Sequence, residues 1–195
     1  MVMMHKWLLP LLGSLWLAGC SDNNWRTTDV SEFMPDLDFE LVDENGRDVS
    51  AEDYLGKNTI LYFGYTHCPD VCPITLAGLA TAIRKVDAEV RDDIQVLFVS
   101  VDPGRDTPDV MKRYTNYFGP QFIGLTGSTA QIDELTNRYR ITYEYGDKDE
   151  EGNYDVSHSS AAFAFNKQGE AEFMIRDSDP TANVVADLSR LAKRG

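Results

Sequence analysis

Two stretches, Thr59 to Tyr65 and Ile94 to Val101, read as continuous apolar runs rich in β-branched and aromatic residues. That pattern predicts strands covered on both faces. Between them Leu76, Leu79, Ala80, Ile83, Val86 and Val90 recur at helical spacing, so the three segments predict a right-handed βαβ unit. A second helix is expected from Pro108 with Met111, Tyr114 and Phe118 on its apolar face. It leads to a short strand over Phe122 to Leu125 and a third helix carrying Ile132, Leu135 and Tyr139.

Towards the ends the pattern changes. Leu37, Phe39 and Leu41 alternate with polar residues before Asp43-Glu44-Asn45-Gly46, a hairpin turn signal at the edge of a sheet. The acidic, glycine-bearing segment Gly146 to Asp155 reads as a solvated loop. Two strands follow, Ala161 to Phe165 and Ala171 to Ile175, joined at Asn166-Lys167-Gln168-Gly169, and a last helix after Pro180 buries Val184, Val185, Leu188 and Leu191. The order βαβ, added helix and strand, then ββα is that of an α/β, thioredoxin-like fold with an N-terminal hairpin and an inserted helix-strand. No internal repeat or second domain is evident.

The first residues read as an address. His5 and Lys6 precede an apolar run from Trp7 to Gly19, shorter than the ~20 residues a spanning helix needs. It closes with Leu17-Ala18-Gly19-Cys20, which resembles a bacterial lipobox. The expected division is a lipoprotein signal peptide over 1–19, a lipidated tether over 20–35 with lipid on Cys20, and one folded domain over 36–195. The chain would then be exported and anchored facing the periplasm or extracytoplasmic side, with the membrane, inner or outer, left open. A formal net charge of −14 and the lack of any Lys/Arg cluster along the sequence argue against nucleic-acid or anionic-lipid binding.

Only Cys68 and Cys72 then remain as thiols. A bridge closing so short a loop would stabilise a large domain little, which favours a chemical role. Pro73 predicts Cys72 as the N-cap of the following helix, where the helix dipole would lower a thiol pKa. Two thiols on one loop make a redox pair or a soft-metal site, and a third ligand decides between them. His67 adjoins Cys68 and, as a neighbour in an extended segment, should point away from it. His158 precedes the strand Ala161 to Phe165, in the loop that faces the cysteine loop in thioredoxin-like folds; thiol oxidoreductases of that fold usually carry a cis-proline there, whereas no proline lies between Pro120 and Pro180 here. Two thiolates and one imidazole form a Cys2His set suited to Cu(I), while a structural zinc usually takes four ligands. Asp102 leaves its strand at the same sheet edge and is a candidate to orient the loop or bond a ligand, whereas Asp106, Thr107 and Pro108 read as a turn and helix cap.

These residues resemble the Sco/SenC family of copper chaperones for cytochrome c oxidase assembly. The resemblance rests on Tyr62 to Pro73, on Asp102 to Thr107, on Gly124-Leu125-Thr126-Gly127 and on Tyr154 followed by His158-Ser159. It implies Cys68, Cys72 and His158 as metal ligands, Asp102 as the family's aspartate, and copper as the metal, Cu(I) with Cu(II) left open. Many relatives carry Asp where this chain has Ser157. The implied role is delivery of copper to the copper A centre of cytochrome c oxidase subunit II, or reduction of that centre's cysteines, with the partner being that subunit or another copper protein. A thiol-disulfide oxidoreductase cycling Cys68 and Cys72, and a redox or copper sensor, are the alternatives.

Overall fold

In a computed structural model, which describes residues 24–194, one eight-stranded sheet organises the chain. Its order is β1 (Thr28–Asp29), β10 (Ala171–Ile175), β9 (Ala162–Phe165), β4 (Asn58–Gly64), β5 (Ile94–Ser100), β6 (Phe122–Thr126), β2 (Glu40–Asp43) and β3 (Asp48–Ser50). The two apolar runs are its central strands β4 and β5, paired in parallel along their whole length from Asn58↔Ile94 to Gly64↔Ser100. Every residue of both is buried, because α1 (Val71–Lys85) connects them across one face and the other face is covered as well. β6 adds in parallel to β5, and α3 (Pro108–Thr115) is the inserted helix that leads to it.

Alternate residues of β4 feed two aromatic layers. Tyr62 stacks with Phe98, which meets Tyr114 of α3 at 5.4 Å. Phe63 instead points to Tyr139 at the end of α4 (Thr129–Arg138), and Phe163 and Phe165 of β9 close on the same ring. The α4 start is a capping box, with Ser128 and Gln131 bonding reciprocally. A short α2 (Ala88–Arg91) and the closing helix α5 (Thr181–Ala192) complete the framework, with α5 against α1.

Two elements differ from the sequence expectation. The expected tether is folded from residue 24: β1 pairs with β10, Trp25 packs on Phe173 with ring centroids 4.7 Å apart, and Val30 is buried. The domain therefore starts upstream of residue 36, because one Trp and one Val supply enough apolar surface to dock an otherwise polar segment. The acidic loop is also flanked by strands, β7 (Tyr143–Tyr145) and β8 (Val156–His158), forming a separate two-stranded ribbon. Cys20 and the expected signal peptide lie outside the described residues. Among the described residues no helix is long and apolar enough to cross a membrane.

Candidate metal centre

The cysteine loop leaves the C-terminal end of β4, where open α/β sheets place ligand sites. Asp70, not Cys72, is the N-cap of α1, so Cys72 is the second helical residue and Pro73 the third. Pro73 is tolerated there because the first four helical N–H groups lack intrahelical acceptors, a freedom wider than the first position alone. The shift turns Cys72 inward. It is fully buried, whereas Cys68 is half-buried, and the Cys72 N–H points at Cys68 Sγ at 3.4 Å.

Inward placement reverses the expected thiol chemistry. Burial pushes the Cys72 thiol up to about 12, against the bond from the Tyr65 backbone that favours the thiolate. Desolvation outweighs the helix start because the sulfur sits in the core rather than in the mouth of the first turn. Room for it comes from Gly64: a Cβ at that position would lie 2.7 Å from Cys72 Sγ and 2.8 Å from the Phe98 ring.

His158 arrives on β8. Its Nε2 is 3.2 Å from Cys72 Sγ and its Nδ1 is 3.0 Å from the Ser159 carbonyl. A carbonyl only accepts, so Nδ1 carries the proton and Nε2 directs its lone pair at the thiols. Burial lowers the pKa of His158, with the Ser159 carbonyl and the Asp177 charge opposing, and so favours the neutral ring that a metal requires. The ring is fixed edge-on by Tyr65, at 5.9 Å and 90° between planes, and the Tyr65 hydroxyl accepts the Val156 N–H at 3.2 Å. Tyr65 thus ties the cysteine loop to the strand that carries the histidine.

The ligand atoms of Cys68, Cys72 and His158 lie within 4.8 Å of one another. A trigonal ion bonded at ~2.0–2.3 Å spaces its ligands by roughly 3.5–4 Å, so the trio needs only a small contraction to close on one. His67 stands outside: its half-exposed ring is 3.2 Å from Thr66 Oγ1 and 3.6 Å from Asp106 Oδ1.

Thr107 caps α3 as expected, but the contact with the cysteine loop falls to Asp106 and not to Asp102. Asp102 is buried but accepts the Tyr154 hydroxyl at 2.8 Å and pairs with Arg105, whose guanidinium lies 3.6 Å over the Tyr154 ring. It anchors the segment leading into β8 and does not bond the cysteine loop. Asp106 does that: its carboxylate accepts the Thr66 N–H at 2.9 Å, the Thr66 hydroxyl at 2.5 Å and the Ser100 hydroxyl at 2.6 Å. Gly64, Tyr65 and Asp106 are the site residues whose roles spacing alone did not disclose.

A family model for SCO1/SenC matches residues 30–193. The chain belongs to the SCO1/SenC family. Its curated SCO relatives include the mitochondrial SCO2 homologue of Mus musculus, 39% identical over 81% of this chain and 65% of that protein. The match to the human SCO2 homologue spans half of that protein. A SCO2-like protein of Rickettsia felis is 37% identical over 73% of this chain and 70% of its own length. Among solved SCO structures, Bradyrhizobium japonicum ScoI with copper bound aligns with TM-score 0.72 and 33% identity over 80% of this chain and 98% of that one. Apo Sco1 of Thermus thermophilus aligns with TM-score 0.76 and 34% identity over 88% and 99%. BsSco, described as a member of the Sco family of cytochrome c oxidase assembly proteins, shares the fold at 22% identity and TM-score 0.61 over 83% of this chain and 98% of that one.

Proposed function

We propose that this chain is a copper-binding assembly factor that holds Cu(I) on Cys68, Cys72 and His158 and passes it to the copper A centre of cytochrome c oxidase subunit II. The observation that carries the reading is the convergence of two sulfurs and one aligned imidazole nitrogen within 4.8 Å, in a chain of this family. Soft thiolates select cuprous ion, and three ligands leave it open to attack by an acceptor thiolate. The copper is cargo, and the protein's part is to bind, orient and release it. Lipid on Cys20 would hold the domain at the extracytoplasmic membrane surface.

Anaerobic titration of the reduced, lipid-free domain with Cu(I) should reach one equivalent, and His158→Ala should weaken binding at least tenfold. Undiminished tight binding in that variant removes the three-ligand site.

The proximity of the free thiols Cys68 and Cys72 also supports reduction of the acceptor's cysteines, because disulfide exchange needs only the two sulfurs. His158→Ala separates the two readings: it should lose copper and keep reductase activity if thiol exchange is the function.

A further inference from the structure

Beside the metal ligands lies a groove that no ligand role accounts for. The first turns of α1 expose two apolar side chains next to the buried Cys72, Val71 at 38% and Ile74 at 64%. Ile74 forms one wall of a cavity of about 140 Å³ between α1 and the start of α5, with Leu79, Ile175 and Val184 as its buried floor. Gly78 leaves the α1 side open, since a Cβ there would meet nothing within 4 Å. The groove is continuous with the site: Thr75, one turn after Cys72, donates to Asp177 at 2.7 Å across its mouth, and the Asp177 charge is felt by His158. Asp177 and Asp179 line the groove with Arg176, and the exposed Asp70 is the N-cap of α1.

We propose that this groove docks one apolar side chain of the protein that exchanges copper with this chain, a partner whose surface around that side chain is basic. The inference rests on the copper-transfer reading above. Ligand exchange requires an acceptor sulfur within bonding distance of the ion, and with Cys72 buried the more accessible of the two thiols is Cys68, which precedes the first turn of α1. A partner seated there covers Val71 and Ile74. The cavity is comparable with the ~150 Å³ apolar cavity that takes a benzene, so it suits a single Leu-, Met- or Phe-sized anchor. The acidic rim, on a chain of net charge −14, selects basic residues around the anchor and steers the encounter.

The test compares two recipients for Cu(I) carried by the lipid-free domain: the soluble copper domain of the cognate oxidase subunit II, and a small-molecule Cu(I) chelator that needs no docking. Ile74→Asp and Gly78→Met leave the ligands untouched, and Gly78→Met replaces a poor helix former with a good one, so it should fold at least as well as the wild type. Transfer to the protein should slow at least tenfold in each variant while extraction by the chelator stays at the wild-type rate. Raising the salt concentration should slow only the protein recipient. Wild-type transfer rates in both variants overturn the docking site, and a protein rate that does not fall with salt overturns the basic partner. A wild-type domain that loads the chelator and never the protein overturns the delivery reading, and the docking inference with it.

Discussion

Gly64 shows how one atom decides the site. Cys72 Sγ occupies the space in which any other residue at 64 would place its Cβ, with Phe98 behind. Gly64→Ala should therefore displace the sulfur or the ring, costing ~1–3 kcal/mol of stability as overpacking does, and should lower Cu(I) affinity at the same time. Denaturant unfolding and copper titration of the variant check both effects, and unchanged values in both would show that the core gives way freely. The grouping of Cys68, Cys72 and His158 was legible from residue type and spacing, because a Cys pair beside a proline and a histidine in place of the facing proline have few other uses. The aspartates were not. Asp102 and Asp106 share one turn, with Asp106 N–H bonded back to the Asp102 carbonyl, and that turn swings Asp106 under the cysteine loop. Residue order alone cannot say which of two buried carboxylates a turn sets under the cysteine loop.

At the scale of elements, strands with a full apolar period and helices with a continuous stripe were readable, and two- or three-residue strands without a turn signal were not. β1, β7 and β8 are too short to show alternation, and their pairing is fixed by partners far along the chain. The β2–β3 hairpin was readable through its turn residues, and its chemistry supports a prediction. Burial would raise the Asp43 carboxyl, but the backbone and side-chain donors of Arg47 and Asn45 together hold it at about 2, below the ordinary 3.8. A carboxyl depressed in the folded state stabilises above its unfolded pKa and loses that contribution as pH falls through the folded one. Asp43→Asn should thus lower stability near neutral pH, on the order of 1 kcal/mol given the exposed Arg47 partner, with the difference from wild type shrinking between pH ~4 and ~2. Urea midpoints across that range test it, and a difference independent of pH would assign the loss to shape rather than charge.

For the whole molecule, residues 24–35 are a strap that finishes the far edge of the sheet. Asp187 on α5 is fully buried and accepts the backbone N–H groups of Arg26 and Thr27 at 2.8–3.0 Å and the Thr27 hydroxyl at 2.8 Å. Trp25 lies between Phe173 and the guanidinium of Arg194, 4.5 Å from its ring centroid. A chain beginning at Asp36 leaves the Asp187 carboxylate without these donors, uncovers the Phe173 ring and turns β10 into a bare edge strand. Losing a buried Trp alone costs ~3–5 kcal/mol, and an uncompensated buried charge adds to it. Even ~3 kcal/mol corresponds to a melting temperature roughly 6–12 °C lower for a domain of this size, together with a tendency to pair edge to edge. Thermal unfolding of chains beginning at Asn24 and at Asp36 tests this directly. Equal melting temperatures would reduce the strap to an ornament of the sheet. A large drop, with Cu(I) affinity kept at a temperature where both chains are folded, would show that the strap sustains the fold from the side of the sheet while the metal centre at the β4–α1 junction is built independently of it.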